Sequence, residues 1–271
     1  MRLFPSFNTF IEIGPLSIQW YALCILTGAA IAYFIGQYNF KKLGYSKEIL
    51  SDYVFGLLFV GIIGARIWYV IFMWNELYAS NPMEIFMINH GGLAIQGGIF
   101  TGLLYSCFFF KKRDIPFLIA GDAIMPGVLI AQACGRWGNF FNQEAFGTNT
   151  TTAPFRMWSL KIHDTLAASA DTLAAKGMDV DPNVPVHPTF LYESVWCILG
   201  FFILNYIVHK RRKYKGEVFL LYGIWYGLER MVVEGLRTDS LYIANTTIRV
   251  SQLLSAIIVV AFLVMHIINM V

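Results

Sequence analysis

Hydrophobic positions along the chain come in seven long runs, at residues 16–40, 53–74, 92–110, 116–134, 188–208, 218–233 and 250–270. About 20 apolar residues in a helix cross the hydrocarbon of a bilayer, so each run predicts one transmembrane helix. Polar residues gather between the runs and in one longer stretch, residues 142–186. That stretch contains an Ala-rich amphipathic piece near residues 166–176 and ends in Asp181-Pro182-Asn183-Val184-Pro185. The pattern predicts an all-α membrane protein: a single polytopic domain over residues 1–271 with about seven spans. Residues 142–186 are read as a small head inserted between spans four and five. No pair of similar halves is visible, which argues against an inverted-repeat transporter.

Composition agrees with lipid as the solvent, with 57% hydrophobic and 14% charged residues in a chain of 271. Charge then orients it. Lys41, Lys42 and Lys47 follow span one, Lys111, Lys112 and Arg113 follow span three, and Lys210, Arg211, Arg212, Lys213 and Lys215 follow span five. Cytoplasmic loops carry such excesses, so the N-terminus is expected outside, the C-terminus in the cytoplasm and the head on the extracytoplasmic side. The opening Met1-Arg2-Leu3-Phe4-Pro5 lacks the features of a cleavable signal, and the first span is expected to serve as its own insertion signal. The net charge of +3 is accounted for by this topology and implies no nucleic-acid partner. Cys24, Cys107, Cys134 and Cys197 lie in apolar runs without metal-ligand spacing, which reads as packing.

Charged side chains inside spans cost about 2.5–3.5 kcal/mol each on insertion scales and mark function by default. Arg66, Asp122, Arg136, Glu193, Glu229, Arg230 and Glu234 are of this kind. The expected topology brings Arg66, Arg136 and Arg230 to the outer half of the membrane. A guanidinium there suits a phospholipid phosphate, which it grips with two parallel donors. The alternative is ion pairing within the protein, and Glu234 at i+4 and the adjacent Glu229 offer it to Arg230. Arg136, Asn139 and Gln143 have helical i, i+3, i+7 spacing and would present a cation and two amides on one face. His187 opens a second polar knot and titrates near neutral pH. Trp20 and Tyr21 fit either a site or an interfacial aromatic belt.

Taken in order, six segments resemble the prolipoprotein diacylglyceryl transferase family. They are Gly14-Pro15-Leu16-Ser17-Ile18-Gln19-Trp20-Tyr21, Gly64-Ala65-Arg66, HGGLAIQGG from His90, GRWGNFFNQEAFG from Gly135, HPTFLYES from His187 and ERMVVEGLRTDS from Glu229. The resemblance implies a bacterial plasma-membrane enzyme whose site faces the extracytoplasmic side. It would move the diacylglyceryl group of phosphatidylglycerol to the lipobox cysteine of a prolipoprotein signal peptide, forming a thioether and releasing glycerol phosphate. It implies no metal and no cofactor. The family's catalytic positions fall on Arg136, Arg230, Asn139, Glu144 and Gln96, and its substrate-binding positions on Tyr21, Arg66, His90, His187, Tyr226 and Glu234. One position departs: Gln96 stands where the family usually has histidine. A neutral amide donates hydrogen bonds but is a negligible base, so either hydrogen bonding is the role there or His90, His187 or Glu144 takes the thiol proton. A lipid or anion transporter and a non-catalytic assembly subunit are the competing classes, separated from an enzyme by a chemical product.

Overall fold

The computed structural model describes residues 2–243, 246 and 248–270. It opens with strands β1 (Arg2–Ser6), β2 (Thr9–Ile13) and β3 (Leu16–Gln19), an antiparallel sheet in that order. The rest of the chain is mostly helical, as expected of an all-α membrane protein, and the sheet moves the start of the first helix from residue 16 to Trp20. Gly14-Pro15 is a two-residue hairpin turn with Gly14 at φ +59°, and Ile13 pairs with Leu16 across it. Leu16 and Ile18 therefore belong to a strand ladder that merges, in sequence, with the apolar run behind it. Rings of Phe4 and Phe10 lie 5.8 and 4.8 Å from that of Trp20 and fasten the sheet to the first helix.

The helices are α1 (Trp20–Lys42), α2 (Lys47–Phe72), α3 (Ile95–Lys111), α4 (Phe117–Asn142), α5 (Leu160–Ala175), α6 (Thr189–Tyr206), α7 (Glu217–Leu236) and α8 (Val250–Met270). Among the described residues five are long and apolar enough to cross a membrane: α1, α2, α4, α6 with its extension to Arg211, and α8. The remaining two apolar runs hold α3, of 17 residues, and α7, which carries Glu217, Glu229, Arg230 and Glu234. Large apolar side chains stand exposed along these helices, among them Phe55, Ile71, Phe202 and Val260, as surfaces facing lipid require.

The chain divides into two compact units, one of residues up to Ile35 with those from Ile124 onward, the other Gly36–Ala123. In the first unit α1 and α4 meet through small residues. A Cβ on Gly127 would lie 2.8 Å from the Ala32 carbonyl oxygen, and one on Gly28 would lie 2.9 Å from that of Ala131. Helices α6 and α7 are joined by Trp196 and Trp225, stacked at 4.5 Å, each indole N–H donating to the other's backbone carbonyl at 3.0 Å. Residues 142–186 carry α5, which starts at Leu160 where the Ser159 hydroxyl accepts from the Ile162 N–H. This segment has its own small core of Phe146, Ile162, Leu166, Leu173 and Val186.

In the second unit α2 and α3 run in close contact, because Gly64 faces Thr101 and Gly97 faces the Gly64 carbonyl. The Tyr53 and Ser106 hydroxyls hydrogen-bond at 2.8 Å inside that seam, and buried Asn39 donates to the Ala123 carbonyl at 2.9 Å. All four cysteines are free. Cys197 is packed in the core as expected, but Cys107 is exposed on α3.

Candidate active site

Three chain segments far apart in sequence are stitched together by their backbones in the first unit. The Gly147 N–H donates to the His187 carbonyl at 3.0 Å, the His187 N–H to Thr148 at 3.0 Å, and the Thr148 N–H to Leu236 at 2.8 Å. The end of α4, the start of α6 and the end of α7 thus share one junction. Gly147 has no room for a side chain, since a Cβ would lie 2.8 Å from that of His187. Thr189, the first residue of α6, is buried and donates its hydroxyl to the Ala145 carbonyl.

This junction sets three helices around a charge cluster. The carboxylate of Glu193 on α6, 1% exposed, accepts Arg136 Nη2 from α4 at 2.6 Å and Arg230 Nη1 from α7 at 3.4 Å. Arg230 Nη2 also pairs with Glu234, one turn along the same helix. Pairing within the protein is therefore real for both arginines, but unequal. Arg230 divides its two terminal nitrogens between two carboxylates. Arg136 gives one nitrogen to Glu193, and its Nε and Nη1 have no protein acceptor among the described residues. An arginine has five donors, so Arg136 keeps a free fork in a side chain only 18% exposed. Glu229 is buried beside this cluster, and no arginine pairs with it among the described residues.

The amide face expected along α4 is only partly present. Helix α4 stops at Asn142, and Gln143 turns into the left-handed region at φ +52°, where its side-chain carbonyl accepts from the Ser159 hydroxyl at 2.8 Å. Gln143 is thereby turned away from Arg136 and Asn139 and serves the start of α5. Asn139 and Asn142 both donate to Glu144 Oε1 at 3.1 Å, so Glu144 is held by amides rather than by a cation.

Tyr21 lies flat against Gly138 of α4, where a Cβ would be 2.5 Å from its ring. Tyr226 stacks parallel on Tyr222, ring centres 6.0 Å apart, one turn before Arg230 on α7. His187 Nδ1 hydrogen-bonds the Tyr192 hydroxyl at 3.1 Å, and burial pushes its pKa below the ordinary 6.5. The sign follows: the folded state favours neutral imidazole, so this contribution to stability is present above pH 6.5 and lost as pH falls through the lowered value. A histidine NMR titration should place the His187 midpoint below 6.5; a midpoint above it would contradict the burial argument. Next to the junction Arg237 grips Asp239 with two parallel bonds, Nε to Oδ1 at 2.8 Å and Nη2 to Oδ2 at 2.7 Å. Burial alone would raise the Asp239 pKa, but the Arg237 bonds and charge outweigh it and hold the carboxyl below its usual range.

Arg66, His90 and Gln96 belong to the second unit. Arg66, 7% exposed, is caged by backbone: Nε donates to Ile85 O at 3.0 Å, Nη1 to Gly91 O and Gly92 O at 2.6 and 2.9 Å, and Nη2 to Glu84 O and Met87 O. Gly92, at φ +78°, leaves that room, for a Cβ would sit 2.4 Å from Nη1. Beside this cage lies a cavity of about 380 Å³ lined by Tyr69, Tyr78, Asn81, Glu84 and His90, with His90 Nδ1 3.0 Å from Glu84 Oε2. Gln96 stands exposed in the first turn of α3, without a hydrogen-bond partner among the described residues. No group of three His, Cys, Asp or Glu suited to a metal ion occurs among the described residues.

The partner that sequence reasoning left unassigned is Glu193. Its signal was a carboxylate on an apolar helix, in the HPTFLYES segment, with no neighbour of opposite sign on α6. Comparison with known proteins gives the family of the chain. The family model described as prolipoprotein diacylglyceryl transferase matches residues 8–268. The phosphatidylglycerol–prolipoprotein diacylglyceryl transferase of Staphylococcus haemolyticus is 44% identical over 257 residues, covering 94% of this chain and 86% of that protein. Those of Streptococcus agalactiae and Staphylococcus aureus are 41% and 40% identical, over 94% and 92% of this chain and 93% and 84% of theirs.

Proposed function

Because the chain belongs to the prolipoprotein diacylglyceryl transferase family, we propose that it carries the diacylglyceryl group of phosphatidylglycerol to the lipobox cysteine of prolipoproteins, the first step of bacterial lipoprotein maturation. It does so as a plasma-membrane protein of seven spans, with an outer N-terminus, an inner C-terminus, residues 142–186 outside the membrane and the site toward that outer face. The observation that carries this reading is the mostly buried Arg136 fork, which keeps two nitrogens free for an oxyanion.

In the reaction the thiol S–H and the glycerol C–O bond break and one C–S bond forms. Glycerol phosphate leaves with the C–O electron pair, and the thiol proton passes to a base. Arg136 holds the phosphate and stabilises the charge that develops on it, in a site where water does not compete. Arg230, shared between Glu193 and Glu234, fixes the direction of that fork and adds positive potential. The same cations lower the pKa of an approaching thiol from its usual value near 8.5. Asn139 and Glu144 form the polar rim, and Tyr21, Tyr226, His187 and Glu234 line the donor lipid and peptide. Arg66 supports the 84–92 segment, which presents His90, and Gln96 orients substrate by hydrogen bonding. Gln96→His should change turnover by less than about tenfold, the effect of exchanging one hydrogen-bond donor for another. A large rise at neutral pH would instead show that a base is missing at that position.

The test is mass spectrometry of a lipobox peptide incubated with purified protein and phosphatidylglycerol. A diacylglyceryl adduct on cysteine, with glycerol phosphate released, is expected. Unaltered peptide and lipid would overturn the reading in favour of a transporter or an assembly subunit.

A further inference from the structure

At the end of α2 and α3 opposite to Arg66, a groove of about 470 Å³ opens between the two helices. Its charged lining is Asp52, Lys112 and Arg113; its apolar lining includes Phe55, Phe108 and Phe109. Arg113 is fixed in place, with Nη2 3.3 Å from Asp52 Oδ2 and the guanidinium 3.7 Å above the Phe109 ring. Lys112 follows the last turn of α3, where the helix dipole adds negative potential that a cation relieves. Two cations against one carboxylate leave one net positive charge, the complement of a single phosphodiester. Phe55 and Phe108 are 68% and 72% exposed, so the charges lie beside open aromatic walls.

We infer that this groove binds an anionic glycerophospholipid, its phosphodiester between Lys112 and Arg113 and an acyl chain along Phe55 and Phe108. Basic pockets between spanning helices on the cytoplasmic side take such head groups. A free phosphate would use the cations and leave the aromatic walls uncovered; a lipid uses both. Asp52 acts as a restraint, holding Arg113 in place while offsetting part of its charge. The inference rests on α2 and α3 crossing the bilayer with Lys111–Arg113 on the cytoplasmic side, as proposed above, and it is independent of the transfer chemistry.

The test uses full-length protein in phosphatidylcholine nanodiscs doped with either photoactivatable phosphatidylserine, an anionic phosphodiester that is not the proposed donor, or photoactivatable phosphatidylcholine. Adducts of the serine lipid should map to residues 52–56 and 105–113. Lys112→Gln and Arg113→Gln should each lower them about fivefold, the worth of one interfacial cation. Asp52→Asn should raise them, and this variant keeps the test alive if the lysine and arginine variants insert poorly. Equal labelling by both lipids, adducts spread evenly over α2 and α3, or a fall with Asp52→Asn would overturn the inference. Diacylglyceryl transfer to a lipobox peptide, measured on the same protein preparations in nanodiscs that contain phosphatidylglycerol, separates the two readings: its absence in the unmodified protein refutes the proposed reaction, whereas lost labelling with normal transfer refutes the lipid groove alone.

Discussion

Arg136→Ala is expected to lower diacylglyceryl transfer by about 10²–10³-fold, the cost of removing one preorganised donor aimed at developing charge. The loss should exceed what alanine at Asn139 or Tyr21 produces, because Arg136 gives one nitrogen to a carboxylate where Arg230 gives two, and so keeps more of its donors unspent in a buried setting. Arg136→Lys should recover little of it. A lysine ammonium has no planar fork, so it cannot bond Glu193 and a phosphate oxygen in two fixed directions. Insertion and folding are expected to survive, since Glu193 retains Arg230. Normal transfer in a folded Arg136→Ala protein would remove the basis of the proposed function.

Glu193→Ala should be the most destabilising of the site substitutions. The carboxylate is 1% exposed and joins α4 to α7 through two guanidiniums. Removing one member of a buried ion pair costs about 3–5 kcal/mol, because the charge left behind has neither water nor partner. Here two cations would lose it at once, though Arg230 keeps Glu234. Thermal unfolding in detergent should show a clear fall in Tm, and transfer should fall with it because the Arg136 fork loses its direction. Glu193→Gln preserves shape and one acceptor and should lie between the two. An unchanged melting curve for the alanine variant would mean that water reaches the cluster and screens it.

The helices were legible because a span is long and its signal accumulates over about 20 residues. The strands were not, since β3 supplies only Leu16 and Ile18 before the apolar run continues without a break into α1. The Gly14-Pro15 turn was the available sign. Arg136 and Arg230 stood out by residue type alone, as cations where cations are costly. Glu193 stood out in the same way, but its pairing with both did not, because it lies on another helix and no periodicity connects positions 136, 193 and 230. The placing of Gln143 on the same helical face failed for a local reason: α4 ends one residue earlier, and Gln143 and Ala145 take positive φ to turn the chain toward α5. Arg66 shows the reverse case. Its type suggested a lipid ligand, whereas its donors go to carbonyls between Glu84 and Gly92, groups that every sequence possesses and none advertises.

The paired hydrogen bonds between Gly147, Thr148 and His187 make residues 149–186 a cassette with a single doorway. The chain leaves the helical bundle and returns to it at adjacent backbone positions, and it folds in between around a core that it completes with Phe146. Lengthening such an excursion costs little closure entropy, about 0.6 kcal/mol per doubling. The segment can therefore change in length at little cost, while Arg136, Glu193 and Arg230 outside it keep their spacing.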